Sequence, residues 1–194
     1  MLNGILDPAF LQAAGRAGKS SVGTIILHTL VDNPGIDTIS GNVTVTSIKN
    51  GTKITETYAL DAETLSIEAD AQTVIRITGE ITGELNFGSS KDFDKISVKN
   101  TALTSLNCYD CYALQALDLR TNTALTSLSC DSCTKIKAVY YPATDSGVAT
   151  KVASLITGAE ADDGTVYTDS AAAYYSTIAT AATTKGWTIA AIPA

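Results

Sequence analysis

The sequence predicts a mainly β protein with some α, in which a β-solenoid is preceded by a small β-region and closed by a helical cap. Three observations carry this expectation. Over residues 65–141 an apolar-x-apolar pair returns every ten or eleven residues: Leu65/Ile67, Ile75/Ile77, Leu85/Phe87, Ile96/Val98, Leu106/Cys108, Leu117/Leu119, Leu128/Cys130 and Val139/Tyr141. Residues 22–60 are rich in β-branched side chains and contain an Asn-Gly pair between alternating runs. After Pro142 the composition shifts to Ala-rich stretches with helical spacing. A short fixed period marks an architecture in which each coil buries its apolar face only against its neighbours.

In chain order, residues 1–21 read as an N-terminal arm. Asp7-Pro8 is an N-cap followed by Pro at the first helical position, and Gly15 is a stop, giving a short helix near 8–14. Leu2, Ile5, Leu6, Phe10 and Leu11 form its apolar cluster, too small for a core of its own, so it must dock on something. Residues 15–21 are a small, flexible link. Residues 22–64 are the β-region: SVGTIILHTLV is a strand, DNPG a turn, and NVTVTSI and KITETYAL form a hairpin about Asn50-Gly51.

The repeats follow over 65–141. A pair spaced by one residue puts both side chains on the same face of a strand, here the core. In the clearest units a third apolar residue precedes the pair (Leu103, Leu114, Leu125, Ile136), and Cys111, Asn122 or Cys133 follows it. An inward Asn at that place can bond backbone groups left unpaired by the turn, and Cys can replace it as a small residue with a weak donor. Residues 142–194 are the α/β cap. A helix is expected from Ser146 to Ile156, then a short extended GTVYTD, then a helix N-capped by Asp169 and ended by Gly186, then a closing strand at Trp187.

The segments NTALTSLNCYDCYALQALDL (100–119) and NTALTSLSCDSCTKIKAV (122–139) resemble the leucine-rich-repeat family, in the short LTSLxC/LTSLxL variety of gut-bacterial surface proteins and phage particle proteins. Units before Phe93 match only in apolar spacing. The resemblance implies a leucine-rich-repeat-like solenoid. It further implies a non-enzymatic structural protein of a virion, as an auxiliary capsid, head-fibre or tail component assembled in a bacterial cytoplasm. Its partners would be other virion subunits, in a homo-oligomer or larger assembly. The alternative it implies is a binding module or adhesin for a protein or glycan.

Composition bears on the partner. Only 17% of residues are charged, against roughly 25% in typical soluble proteins, and Thr, Ser and Asn supply the polar surface. A net charge of −7 with no basic run lacks the footprint of phosphate-backbone binding, so no nucleic acid is expected. No apolar run is long enough to span a membrane. The N-terminal stretch lacks the basic start and apolar core of a secretory signal, which points to a reducing cytoplasm.

Candidate chemistry is sparse. Cys108-x-x-Cys111 and Cys130-x-x-Cys133 have zinc-site spacing, but the 22-residue period accounts for them: they take the places that Leu119 and Asn122 fill in the intervening unit. Stacked, buried thiols without metal are expected. AAGRAGKS (13–20) fits a relaxed phosphate-loop pattern, yet the strand and helix that such a loop needs come in reverse order. His28 is the only histidine and is linked by sequence to no nucleophile. Glu80/Glu84 and Asp162/Asp163 sit in glycine-flanked turns and read as solvated carboxylates. No catalytic, cofactor or metal site is therefore expected. Tyr109, Tyr112 and Tyr140 are the candidate interaction surface, because tyrosine supplies rigid contact area with a polar end.

Overall fold

A computed structural model describes residues 23–99 and 102–193 of the chain. The expected helix near 8–14, the 13–20 loop and the arm residues Leu2, Ile5, Leu6, Phe10 and Leu11 lie outside the described residues. Those described form a mainly β protein with α, built on one sheet of 12 strands. The first strands are β1 (Gly23–Thr29), β2 (Gly35–Lys49), β3 (Thr52–Ser66), β4 (Val74–Gly79), β5 (Thr82–Asn86), β6 (Phe93–Lys99) and β7 (Ala102–Asn107). The rest are β8 (Ala116–Asp118), β9 (Ser127–Ser129), β10 (Ala138–Tyr140), β11 (Thr165–Thr168) and β12 (Thr188–Ala191). Two helices are described, α1 (Ser146–Gly158) and α2 (Tyr175–Lys185).

The strands sort into two parallel ladders. In the first, β6, β8, β10, β11 and β12 stack in register, with Ile96, Leu117, Val139, Val166 and Ile189 on one rung. In the second, Leu85 of β5, Leu106 of β7 and Leu128 of β9 share a rung. From β6 to β10 the chain alternates between ladders, which is how a pair every ten or eleven residues becomes a stack of coils. No side chain of the eight pairs is more than 4% exposed. The preceding apolar positions Leu103, Leu114, Leu125 and Ile136 are buried with them.

The turns show why Asn and Cys alternate. Each is closed by short backbone bonds, such as Cys111 N–H to Cys108 C=O (3.2 Å) and Asn122 N–H to Leu119 C=O (3.2 Å). The side chain then reaches back to the preceding coil. Asn122 Nδ2 donates to Val98 C=O, Cys133 Sγ to Cys108 C=O (3.0 Å) and Cys111 Sγ to Gly88 C=O (3.3 Å). A carbonyl buried beside an apolar core costs free energy unless it finds a donor, and this position supplies one coil after coil.

Parallel stacking begins at β5. The Leu65/Ile67 and Ile75/Ile77 pairs are buried too, but Leu65 and the second pair lie on strands that run antiparallel to their neighbours. The long hairpin forms as its Asn-Gly turn requires: Asn50 (φ 51°) and Gly51 (φ 70°) are both left-handed, and their N–H groups donate to the Asp70 carboxylate. Those two bonds draw the Asp70 pKa below its ordinary value. β1 is not merely the start of a separate β-region; it lies between β4 and β6 and joins the antiparallel strands to the first ladder. β2 bends through two irregularities and pairs with both β4 and β5. At that bend a Cβ on Gly41 would lie 1.7 Å from Glu80 C=O, so only glycine fits.

The cap departs from the sequence expectation in two ways. The first ladder continues past Tyr141, since the extended pieces at 165–168 and 188–191 are its next rungs. Helices α1 and α2 are the connections between those rungs, and α1 packs against β9 of the second ladder. The second helix also starts later than expected. Asp169 Oδ1 accepts from Ala171 N–H, and its carbonyl from Ala172 N–H, so it closes a turn, while Tyr174 is the N-cap and makes no side-chain capping bond. Tyr174 N–H is committed to Ala143 C=O, which ties this turn to the segment after β10 and delays helix entry. Left-handed Gly186 ends α2, as expected, and α1 starts at Ser146, as expected, behind an Asp145 N-cap.

Replacing Asn122 tests the backward bond. Asn122→Ala leaves Val98 C=O without that donor and is expected to lower unfolding free energy by about 1–3 kcal/mol. Asn122→Cys, which copies the neighbouring coils, is expected to lose less. Denaturant melts giving equal losses for both would remove the donor explanation.

Candidate functional site

The exposed turns after the second ladder are built to one pattern. Asp110 (φ 56°) and Ser132 (φ 67°) occupy the same position in successive coils, and both are left-handed. Asp110 N–H donates to Asp131 C=O (3.0 Å), which fixes one turn on the next. Tyr109 and Tyr112 flank this left-handed corner. Asn107 Oδ1 accepts from Tyr109 N–H (2.9 Å), and Tyr112 N–H donates to Asp110 C=O (2.8 Å). Their side chains are 48% and 42% exposed. Hydrogen bonding to Asp110 raises the Tyr112 hydroxyl pKa, so it stays a neutral phenol in ordinary buffers.

Tyr140 sits elsewhere. It is 3% exposed and lies on the outward side of the first ladder, stacked on Tyr167 with centroids 4.1 Å apart and planes 2° from parallel. Arg120 lies over its ring at 5.1 Å. The structure thus brings Tyr109 and Tyr112 together and places Tyr140 in a different environment, a buried polar row. Ser97, Asp118, Tyr140 and Tyr167 are consecutive register partners across the ladder. Asp118, 1% exposed, accepts from Ser97 Oγ (3.1 Å), from Arg120 Nε (2.9 Å) and Nη2 (2.7 Å), and from Arg120 N–H (3.1 Å). Lys99 Nζ is 3.9 Å away, its pKa lowered by burial. Burial and neighbouring Tyr167 push the Tyr140 hydroxyl up. Sequence reasoning missed this row; its one signal was Asp118 and Arg120 alternating with the inward Leu117 and Leu119.

The other candidates are engaged structurally. His28 Nδ1 lies 2.5 Å from Asp94 Oδ1 on the outward side of β1. All four cysteines are free thiols and buried. Burial and the nearby Asp131 push the Cys130 thiol up to about 12. Among the described residues no group of three or more His, Cys, Asp and Glu side chains is placed to hold a metal ion. Glu80 and Glu84 are exposed, and Asp162 pairs with Lys185 Nζ at 2.8 Å. No described helix is long and apolar enough to cross a membrane. No family model, no curated protein and no solved structure matches the chain.

Two predictions follow from the thiols. Replacing all four cysteines by Ala is expected to leave a folded, destabilised protein, and elemental analysis of the unsubstituted protein to find no stoichiometric zinc. One zinc per chain with unfolding by chelator would refute this. For pH, the unfolded chain releases the Cys130 proton near 9 and the folded chain only near 12. The folded state therefore holds the extra proton in that window. Its contribution is full below pH 9 and lost as pH rises toward 12. Cys130→Ala should flatten the alkaline fall of stability by up to about 1.4 kcal/mol per pH unit. Parallel stability curves between pH 9 and 11 would contradict it.

Proposed function

We propose that the chain is a non-enzymatic structural protein of a phage particle, an auxiliary capsid, head-fibre or tail component. In this reading the double ladder is a leucine-rich-repeat-like solenoid serving as a rigid module for assembly or display. The observation that carries the module is that both ladders start from antiparallel β1, β4 and β2, while at the other end α1 packs against β9. Terminal capping is what a repeat stack needs to stand alone. The likeness of 100–119 and 122–139 to repeats of phage particle proteins supports the placement in a virion. The non-enzymatic reading is supported by how the chemistry-bearing groups are used: His28 on Asp94, thiols on backbone carbonyls, Asp118 on Arg120 and Ser97. Residues 1–21, with Leu2, Ile5, Leu6, Phe10 and Leu11, act as the assembly arm onto neighbouring subunits.

The exposed Tyr109 and Tyr112 favour a second reading, a binding module or adhesin that meets a protein or glycan through this turn edge. Deleting residues 1–20 separates the two. The assembly reading expects a folded monomer that no longer joins its oligomer or particle, while Tyr109→Ser/Tyr112→Ser leaves incorporation intact. Loss of the cooperative melt on truncation would assign the arm to the chain's own core and withdraw the assembly role. Loss of incorporation only in the tyrosine variant would favour the second reading.

A further inference from the structure

The cap contains a cavity that neither role uses. Its volume is about 470 Å³, within the range of small-molecule sites. Pro142 follows β10, Asp169 follows β11 and Ile192 follows β12, and all three line it. The cavity therefore opens where three neighbouring parallel strands end. Helical crossovers join these strands, and the cavity lies at their carboxyl ends. Tyr175, the first residue of α2, forms another wall, at a helix start that lacks a side-chain cap.

A second, independent observation points into the same space. Thr168 lines the cavity and is 2% exposed, and its Oγ1 is the one buried side-chain polar atom among the described residues with no hydrogen-bond partner. A buried hydroxyl without a partner costs free energy. Val would fill the same place without that cost. The orphaned hydroxyl therefore belongs to a residue that forms part of the cavity wall.

We infer that this cavity binds a neutral sugar, of the size of a mono- or disaccharide. The lining fixes the class. Asp169 accepts from hydroxyl groups, and Thr168, Ser170 and Tyr175 each donate or accept, as a polyol requires. Pro142 and Ile192 offer apolar surface to the C–H face of a pyranose. Among the described residues no Lys, Arg or His lines the cavity, so phosphate and carboxylate ligands find no cationic side chain from that lining. Tyr109 and Tyr112 are not among the described residues that line the cavity, so the inference does not draw on that turn edge.

Saturation-transfer NMR on the full chain tests it, with glucose, galactose, N-acetylglucosamine and cellobiose as probes, and inorganic phosphate and methylammonium as controls followed by amide shifts. At least one sugar should give saturation transfer and shift amides of 168–175 and 189–192. Thr168→Val should melt at the same or a higher temperature while weakening that sugar at least fivefold, and Tyr175→Ala should weaken it as well. A merely structural hydroxyl would raise the melting temperature on substitution and leave sugar binding unchanged, which overturns the inference. So does silence from all four sugars at tens of millimolar, or a response confined to phosphate or methylammonium.

Discussion

The rest of the structure depends on the hydrogen bond that each coil sends back to the one before it. Tight turns next to an apolar stack leave carbonyl groups facing inward, where water does not reach, and a repeat multiplies that cost by the number of coils. Asn122, Cys111 and Cys133 meet it from one sequence position, with an amide in a turn after the first ladder and thiols in turns after the second. The donor must be small enough to lie between Leu rungs and polar enough to bond a carbonyl. Asn and Cys satisfy both demands, which is why a pattern that looks like metal ligation serves instead as packing with a donor attached.

The outward side of the first ladder follows a different rule. Asp118 is buried with donors around it, and Arg120 is held between that carboxylate and the Tyr140 ring. Buried ion pairs contribute little net stability against an apolar alternative, but they are costly to break and so fix geometry. The row from Ser97 to Tyr167 pins the lateral register of four strands, two of which, β8 and β10, are only three residues long. Inward leucines alone tolerate a slip of one whole rung better than a carboxylate whose donors come from its own coil and the one before.

Much of this was legible in the sequence because it is periodic or local. The buried pairs, the turn donors, the Asn50-Gly51 hairpin, the start of α1 at Ser146 and the Gly186 stop all follow from spacing or from the conformations that particular residues allow. What was not legible is long-range. Nothing near His28 says that β1 will enter the sheet between β4 and β6. The pieces around Val166 and Ile189 lack the repeat spacing, because helices lengthen the connections between those rungs, and so they looked like a separate cap. Tyr140 reads as surface because its neighbours alternate inward; only the assembled ladder buries both sides. Thr168 carries no signal at all, since a hydroxyl becomes an orphan only once the surrounding strands are in place.

The substitution of helix for strand at the cap has a consequence for how many coils can exist. An incoming coil from another molecule would need two open strand edges, one on each ladder. β12 offers the first, but α1 packs against β9, where the second would form. Coil-on-coil extension is therefore blocked at this end by steric occupancy, not by charge. Any larger object that contains the stack would therefore grow by lateral or tethered contacts and not by adding coils over β9.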